Sequence, residues 1–479
     1  MEFFRKDCMK KINTLLIINL LFLTLLLSAF FYSYYFKDTN PIRLMQSAKK
    51  IPKNFEKREL ELSLAKDQIT EVNDEPSALF NDPAIKQAWG LKKSDAARAW
   101  SVSQGHKNTL IAVIDTGVDI KHEDLKNNLW RNPGESGLDA KGRNKDSNGL
   151  DDDQNGFIDD IHGWNFVSNN SKLDDNHGHG THIAGIIGAE ASNKKGISGI
   201  SPNVSLMILK YFDPKVANTD NLKNTILSIR YAIKMGAHII NYSGGGTDFS
   251  KEEFDAVELA ERKGILFVAA AGNERANSDQ HHYFPADYSL KNIISVTAID
   301  PTTEVLSSSN YGVLTVDIAA PGQNILSCLP NNSYGLMTGT SQATAFVTGA
   351  AALVMSHKNQ YFKASEIKNY ILATGSTSSS LMTKTRTSRQ LNLFKALTIL
   401  GSETGFSGGA KANVQDSFPS ELKHHKQNSN LNSVTNVAHF GRQLLESLPN
   451  EKRPNKKKTI RMGSETKFND KFNDKLNEN

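Results

Sequence analysis

The sequence has too few cysteines and too little net charge for several familiar classes of protein. It contains two cysteines in 479 residues, Cys8 and Cys328, and a long apolar stretch separates them. No disulfide can therefore form within one folded domain, so stability must come from core packing or from a bound metal. The formal net charge is only +5, and the charged residues are scattered except near the C-terminus. This pattern gives no reason to expect nucleic acid as a partner.

The N-terminus lacks a small-x-small cleavage site, although it has the charge and hydropathy of an export signal. Basic residues within 1–11 precede an apolar stretch over residues 12–36. A bilayer span takes about 20 apolar residues, whereas the apolar part of a signal peptide has about 7–15. Aromatic residues near the end of the stretch are typical of a membrane interface. We expect a transmembrane signal anchor, with residues 1–11 in the cytoplasm and the remaining chain outside. A cleaved signal peptide followed by secretion is the alternative.

Two further segments lack the apolar residues that a core needs. Residues 37–80 are charged and poor in aromatics, which predicts a short linker. Beyond residue 400 serine, asparagine, lysine and glutamate predominate, and the end repeats as KFND-KFND-KLNE. We predict a disordered tail over residues 401–479. One folded domain over residues 81–400 remains. Its apolar strands alternate with helices, which indicates an α/β fold with a mainly parallel central sheet covered on both faces.

Reactive side chains lie among glycines and small residues at three places in this domain. The segments are IAVIDTGVD around Asp115, NHGHGTHIAG around His179 and TGTSQATAFVTGAAAL around Ser341. A hydroxyl that attacks a carbonyl needs an imidazole to take its proton, and the imidazole needs a carboxylate to fix its tautomer. Any one of these residues alone is more often a helix cap or a loop residue. Together, they favour nucleophilic catalysis.

These segments resemble those of the subtilisin-like serine proteases, the subtilases, over residues 81–400. The resemblance implies a three-layer α/β domain and a serine endopeptidase that works through an acyl-enzyme and needs no cofactor for catalysis. It implies that Ser341 attacks the peptide carbonyl, His179 accepts and returns the proton, and Asp115 orients His179. The alignment on HGTH selects His179 as the base and leaves His177 as an expected surface neighbour.

The resemblance also implies an oxyanion hole and a substrate cleft. Asn273 follows an apolar strand, and it would donate its side-chain amide to the oxyanion beside the backbone N–H of the serine. The substrate would add as an extended strand to one wall of the cleft. The residues implied in substrate binding are Ser243, Gly244, Gly245, Ala271, Gly272 and Tyr283. A tyrosine at the last of these positions would narrow the pocket for the residue before the scissile bond and favour small or medium side chains.

Two features depart from the family. After the serine, the common subtilase sequence continues Met-Ala-Thr-Pro-His, whereas this chain has Gln342 to Phe346 without proline. The change returns a backbone N–H to the helix start but removes no catalytic group. Residues 37–80 are also short for the folding propeptide that many subtilases carry. Either the domain folds without this intramolecular chaperone, or the segment is a shortened propeptide.

An acidic insertion lies between the aspartate and histidine motifs, over residues 146–160. From Asp151 it reads D-x-D-x-N-G, like the first half of a calcium loop, in which the glycine permits a sharp turn. The candidate ligands are Asp151, Asp153, Asn155 and Asp159. The twelfth position holds His162 and not glutamate, so we do not expect a regular EF-hand. A structural Ca²⁺ site and a solvated acidic loop stay open as alternatives.

We therefore expect a serine endopeptidase that acts on polypeptides outside the cytoplasmic membrane, as a monomer held by its N-terminal segment. Two alternatives stay open. One is a membrane-anchored binding protein that kept the fold but lost turnover, and the other is a processing peptidase dedicated to one surface substrate. Reaction of Ser341 with a serine-directed probe and the range of proteins cleaved would distinguish the three.

Overall fold

A computed structural model gives the structure of residues 80–358 and 363–399. The predicted membrane segment, the linker or shortened propeptide before residue 80 and the predicted tail lie outside these ranges and stay predictions. Within the two ranges, no helix is long and apolar enough to cross a membrane.

In the described residues, nine strands form the central sheet and two more form a separate antiparallel pair, β8 with β9. The strands are β1 (Gly105–Asp115), β2 (Gly163–Asn165), β3 (Asn203–Lys210), β4 (Ile239–Tyr242), β5 (Leu266–Ala270), β6 (Ile293–Ile299), β7 (Ile318–Pro321), β8 (Ile325–Leu329), β9 (Ser333–Met337), β10 (Ser376–Thr377) and β11 (Arg389–Gln390). Their order in the sheet is β10-β11-β7-β6-β5-β4-β1-β3-β2. Every neighbouring pair is parallel except β10 with β11. The predicted α/β fold with a mainly parallel sheet is confirmed.

The described residues contain eight α-helices, and those between strands connect β2 to β3, β3 to β4, β4 to β5 and β9 to β10. They are α1 (Trp89–Lys93), α2 (Ala96–Trp100), α3 (His179–Gly188), α4 (Asn221–Lys234), α5 (Lys251–Arg262), α6 (Thr340–Lys358), α7 (Ala364–Thr374) and α8 (Leu393–Thr398), with short 3₁₀ turns at Ile85–Gln87, Lys145–Ser147 and Ser379–Leu381. Two of the longer helices begin at side-chain caps. The side chain of Asp220 accepts the backbone N–H of Lys223 before α4, and that of Ser250 accepts the N–H of Glu253 before α5. These caps satisfy N–H groups that have no partner within the helix.

Strand side chains alternate between two hydrophobic cores, one on each face of the sheet. In β1, Ile111 and Val113 belong to the first core, and Ala112 and Ile114 belong to the second. Helices α3, α6, α7 and α8 contribute to the first core, whereas α4 and α5 contribute to the second. The central strands are therefore buried on both faces, which is why they read as continuous apolar runs. The result is a layer of helices on each side of the sheet.

Helix α6 carries the predicted nucleophile and packs against β1, β4, β5, β6 and β7. It also lies close to α3, because a Cβ atom on Gly349 would be 2.5 Å from Cβ of Ile200 and 3.4 Å from the carbonyl oxygen of Ile187. The helix begins at Thr340, directly before Ser341, although Ala345 stands where the family has proline. The two helices that carry the predicted base and nucleophile therefore share one core.

Strand β1 is the point at which the chain changes direction across the sheet, because β3 lies on one side of it and β4 on the other. In open parallel sheets, binding sites form outside the carboxyl ends of the strands at such a point. Ile114 pairs with Tyr242. The residues that follow, Asp115 and Ser243, therefore leave the sheet side by side at this crevice.

Candidate active site

Asp115 and His179 form a buried pair. Asp115 ends β1 and His179 begins α3, and the residues are 3% and 5% exposed. Nδ1 of His179 lies 2.7 Å from Oδ1 of Asp115. The carboxylate accepts, so Nδ1 carries the proton and Nε2 is left as an acceptor. Burial lowers the pKa of His179, but the charge and hydrogen bond of Asp115, with the charge of Asp175, outweigh burial and raise the pKa above its ordinary value.

Asp175, which the sequence analysis did not identify, holds the loop before α3. Its carboxylate accepts the hydroxyls of Thr116 and Thr181 at 2.8 and 2.7 Å, and the backbone N–H groups of His177, Gly178 and Thr181 at 2.7–3.0 Å. These bonds connect the end of β1 to the start of α3. Asp175 therefore fixes the end of β1, which carries Asp115, relative to the start of α3, which carries His179.

The other two histidines of the NHGHGTH segment are both buried. His177 is 7% exposed, and its ring centroid lies 6.1 Å from that of His179. The prediction that His177 lies at the surface is wrong, because the turn closed by Asp175 folds this residue inward. Nε2 of His182 donates to the carbonyl of Ile325 at 2.9 Å, and burial lowers the pKa of His182 to about 3. His182 is therefore neutral and structural.

Ser341 occupies the first turn of α6 and is 5% exposed. Its hydroxyl donates to the carbonyl of Ser243, with Oγ and the oxygen 3.1 Å apart. Among the described residues, no hydrogen bond joins Ser341 to His179. In structures without substrate, catalytic hydrogen bonds are often long or unformed and tighten when substrate binds. Ser243 and Asp115 are neighbours at the carboxyl ends of β4 and β1. The structure therefore brings all three predicted catalytic residues to the same crevice.

Asn273 lies beside the start of α6. Its Oδ1 accepts the backbone N–H of Thr340 at 3.0 Å and the Thr340 hydroxyl at 3.3 Å. These two donors identify the oxygen of the amide and leave Nδ2 as the free donor end. The backbone N–H of Ser341 belongs to the first turn of α6, where N–H groups have no partner within the helix. The site thus holds two donors of the kind that an oxyanion requires.

Asn310 is a second residue that the sequence analysis missed. Its Oδ1 accepts the backbone N–H groups of Glu274 and Ala276, both at 3.0 Å, and its Nδ2 donates to the carbonyl of Ala271 at 2.9 Å. It therefore holds the loop that carries Asn273. No local motif marks it, because it lies far along the chain from the residues that it contacts.

The segment after β4, predicted to form one wall of a cleft, makes an antiparallel bridge between Gly246 and Phe284. Gly246 and Phe284 exchange backbone hydrogen bonds, with N···O distances of 2.9 and 2.7 Å. Backbone groups of successive residues in an extended segment point to opposite sides. The N–H and C=O of Gly245 therefore point away from Phe284, towards the same side as the carbonyl of Ser243. That edge can accept an added peptide strand.

Tyr283 lies between the two glycine segments of the cleft. A Cβ atom on Gly245 would be 2.5 Å from Cε1 of Tyr283, and one on Gly272 would be 3.0 Å from Cδ2. The tyrosine is 3% exposed, and burial raises its pKa. Gly272 also has a φ of +102°, which disfavours any side chain there. The ring can approach both segments only because neither glycine carries a side chain.

The four predicted metal ligands make different hydrogen bonds, although Asp151 and Asp153 both accept the backbone N–H of Asn155. Asp151 accepts the backbone N–H groups of Asn155 and Gly156 at 2.9 and 2.8 Å, and Asp159 accepts that of Gly149 at 3.0 Å. These two carboxylates close turns of the insertion. Asp153 joins a different acidic group. Nδ2 of Asn155 donates to this group, so the amide does not offer its oxygen there.

That group is Glu135, Asp153 and Asp160, whose ligand atoms all lie within 4.8 Å of one another. Glu135 and Asp160 are fully buried. One Glu135 oxygen accepts the backbone N–H of Asp152 at 2.8 Å, but the other, Oε2, has no hydrogen-bond partner among the described residues. Burial, together with the charges of Asp160 and Asp153, raises the pKa of Glu135 to about 7. An all-oxygen donor set with an unsatisfied buried oxygen fits a hard cation such as Ca²⁺.

Comparison with known proteins agrees with this geometry. The Subtilase family pattern matches residues 106–398. The Major intracellular serine protease of Bacillus subtilis (strain 168) is 33% identical over 297 residues, which cover 62% of this chain and 80% of that protein. Thermitase of Thermoactinomyces vulgaris is 35% identical over 277 residues, covering 58% of this chain and 85% of that protein. A solved protease from Pseudoalteromonas arctica PAMC 21717 has a TM-score of 0.54 at 22% identity, over 67% of this chain and 99% of its own. The last similarity supports the fold alone.

Proposed function

Since the chain belongs to the subtilase family and is a subtilisin-like serine endopeptidase, we propose that Asp115, His179 and Ser341 hydrolyse its polypeptide substrates through an acyl-enzyme. The observation that carries this proposal is the 2.7 Å hydrogen bond between Nδ1 of His179 and Oδ1 of Asp115 at the end of β1. This pair lies beside Ser243, whose carbonyl accepts the Ser341 hydroxyl at 3.1 Å.

Substrate binding prepares the nucleophile. A peptide N–H that donates to the carbonyl of Ser243 competes with the Ser341 hydroxyl for that acceptor. Rotation about one side-chain bond then turns Oγ of Ser341 towards Nε2 of His179. This nitrogen is the acceptor because Asp115 holds the proton on Nδ1. The serine is thus activated when the cleft is occupied.

The chemical steps then follow from the donors and acceptors present. Oγ of Ser341 attacks the carbonyl carbon while His179 takes the hydroxyl proton. The charge that develops on the carbonyl oxygen receives hydrogen bonds from the amide of Asn273 and the backbone N–H of Ser341. The imidazolium, stabilised by Asp115, gives its proton to the leaving amine, and the acyl-enzyme remains. A water molecule, activated by His179 in the same way, releases the second product.

A fluorophosphonate probe tests this assignment on the full chain. Wild type should be labelled covalently, and Ser341→Ala should lose all labelling while circular dichroism shows the same fold. Ser243→Ala is the matched control, because it removes a nearby hydroxyl but keeps the carbonyl that Ser341 contacts, so it should still be labelled. Folded wild type that does not react would favour a binding protein without turnover. General casein degradation would argue against a peptidase dedicated to one substrate.

The proposal includes action outside the cytoplasmic membrane, as a monomer held by residues 12–36. The support is the sequence pattern alone, in which basic residues precede an apolar stretch of membrane-spanning length. The full chain, expressed in bacterial cells, should sediment with membranes and be digested by protease added from outside. Deletion of residues 12–36 should leave it inside. A shortened chain in the culture medium would favour cleavage and secretion.

The proposal also includes a structural Ca²⁺ ion held by Glu135, Asp153 and Asp160. The support is the buried Oε2 of Glu135, which has no hydrogen-bond partner in the part of the chain that the structure describes, and the closeness of the three carboxylates. A cation there would neutralise like charges and connect the insertion to the segment before it. This ion takes no part in the reaction.

A further inference from the structure

A short turn, Tyr283–Asp287, carries the predicted pocket tyrosine. Two hydrogen bonds between Tyr283 and Asp287 close the turn. The backbone N–H of Asp287 donates to the carbonyl of Tyr283 at 3.0 Å, and the backbone N–H of Tyr283 donates to Oδ2 of Asp287 at 2.9 Å. The carboxyl group of Asp287 therefore holds the backbone of Tyr283 directly.

The carboxyl group of Asp287 is buried but only partly hydrogen-bonded. The Asp287 side chain is 0% exposed, and within residues 80–358 and 363–399 its Oδ1 has no hydrogen-bond partner. Oδ2 lies 3.3 Å from Nδ1 of His282, whose side chain is 55% exposed. Burial raises the pKa of Asp287 to about 6, with a further increase from Asp279, whereas His282 acts in the opposite direction.

The turn reaches the cleft through Tyr283 and Phe284. Phe284 exchanges hydrogen bonds with Gly246, and the Tyr283 ring fills the space beside Gly245 and Gly272. A shift of the Tyr283 backbone by a few tenths of an ångström changes the wall of the pocket. The charged and titratable groups that act on the Tyr283 ring are Glu274, Tyr242 and Glu253.

We propose that Asp287 is a positioning residue whose protonation sets how firmly Tyr283 lines the substrate pocket. The ionised carboxylate accepts the Tyr283 N–H more strongly than the neutral acid does, because hydrogen bonds to charged groups are the stronger kind. Acidification therefore loosens the pocket wall and weakens substrate binding. This inference rests on the proposed substrate-binding role of Tyr283.

The test measures KM and kcat of the full chain between about pH 5 and pH 8, with a blocked peptide that has no titratable side chain. For wild type, KM should rise about fivefold as the pH falls through the titration of Asp287. Asp287→Asn keeps the shape and a neutral acceptor, so its KM should stay near the acid value of wild type at every pH. An unchanged KM profile in folded Asp287→Asn would overturn the inference.

A second variant keeps the test decisive if Asp287→Asn does not fold. His282→Gln alters an exposed side chain and removes an interaction that lowers the pKa of Asp287. The midpoint of the KM profile should therefore move to higher pH, whereas kcat should keep its own profile. A midpoint that does not move contradicts the inference. If the enzyme is active but its KM does not change with pH, only this inference is contradicted. If the folded enzyme cleaves no peptide, the proposed function itself is contradicted.

Discussion

Two buried carboxylate sites in this domain differ in where their counter-charge comes from. At the end of β1, Asp115 faces the imidazole of His179 at 2.7 Å. Beside the acidic insertion, Glu135 faces two more carboxylates, Asp153 and Asp160. A buried charge is tolerated when it is paired and is costly when it is not. The first site takes its partner from the fold, whereas the second needs a proton or a cation from solution.

The pKa shifts record this difference. Asp115 overcomes the effect of burial and raises the pKa of His179, so the fold favours the imidazolium that forms during catalysis. Burial, together with the charges of Asp160 and Asp153, raises the pKa of Glu135 to about 7. The same chemical group thus supports proton transfer in one place and ion or proton uptake in the other.

The largest effect should come from removing the charge of the paired site. Asp115→Asn keeps the size of the side chain but places an amide against Nδ1 of His179, which favours the wrong tautomer. We expect kcat to fall about 10⁴-fold with little change in the melting temperature. Asp300→Asn is the control, because this carboxylate caps a surface turn, and it should change kcat by less than about twofold. A loss below tenfold in Asp115→Asn would show that the pair does not direct proton transfer.

A smaller loss should follow from removing one oxyanion donor. Asn273→Ala should lower kcat about 10²- to 10³-fold and leave KM nearly unchanged, because the hydrogen bond forms only as charge develops. Thr340→Val removes a hydroxyl 3.3 Å from Oδ1 of Asn273 but keeps the backbone N–H that fixes the amide. It should therefore cost much less. Equal losses in the two variants, measured by steady-state kinetics, would contradict the role given to Asn273.

The response to Ca²⁺ tests the site that has no counter-charge from the fold. Added Ca²⁺ should raise the melting temperature of wild type by about 5 °C at a hundredfold excess over its Kd. Glu135→Gln should lose this response, since it removes a charge from the group. Asp159→Asn should keep it, because the Asp159 carboxylate accepts the backbone N–H of Gly149. The reverse result would favour the ligand set predicted from the loop sequence, and no response in wild type would favour a solvated loop.

The sequence marks the candidate catalytic residues more clearly than the candidate metal ligands, and the reason is local. Asp115, His179 and Ser341 each stand in a segment whose glycines and small residues mark the position. Glu135 lies outside the acidic run, and nothing in the run shows which carboxylates point inward. Asp151 accepts backbone N–H groups of its own turn, a choice that depends on three-dimensional packing.

Local sequence patterns also predicted only part of the fold. Continuous apolar runs predicted a parallel sheet buried on both faces, and this was confirmed. The order of the strands, the separate β8 and β9 pair, and the antiparallel β10 and β11 were not predictable, because they depend on contacts between distant segments. Asp175 and Asn310 were missed for the same reason. Each holds a catalytic loop through hydrogen bonds that no single motif contains.

The smallest predicted effect is a pH dependence of stability at the unpaired site. The folded domain keeps a proton on Glu135 up to about pH 7, whereas the ordinary pKa, near that of the unfolded chain, is 4.5. Between these values the folded state binds more protons than the unfolded state, so stability should fall as the pH rises. Melting temperatures measured in chelator should show this decline in wild type, and Glu135→Gln should reduce its slope. Added Ca²⁺ should offset the decline, because the cation replaces the proton. A slope that is the same in both proteins would mean that Glu135 is already paired, and the contrast with Asp115 would not hold.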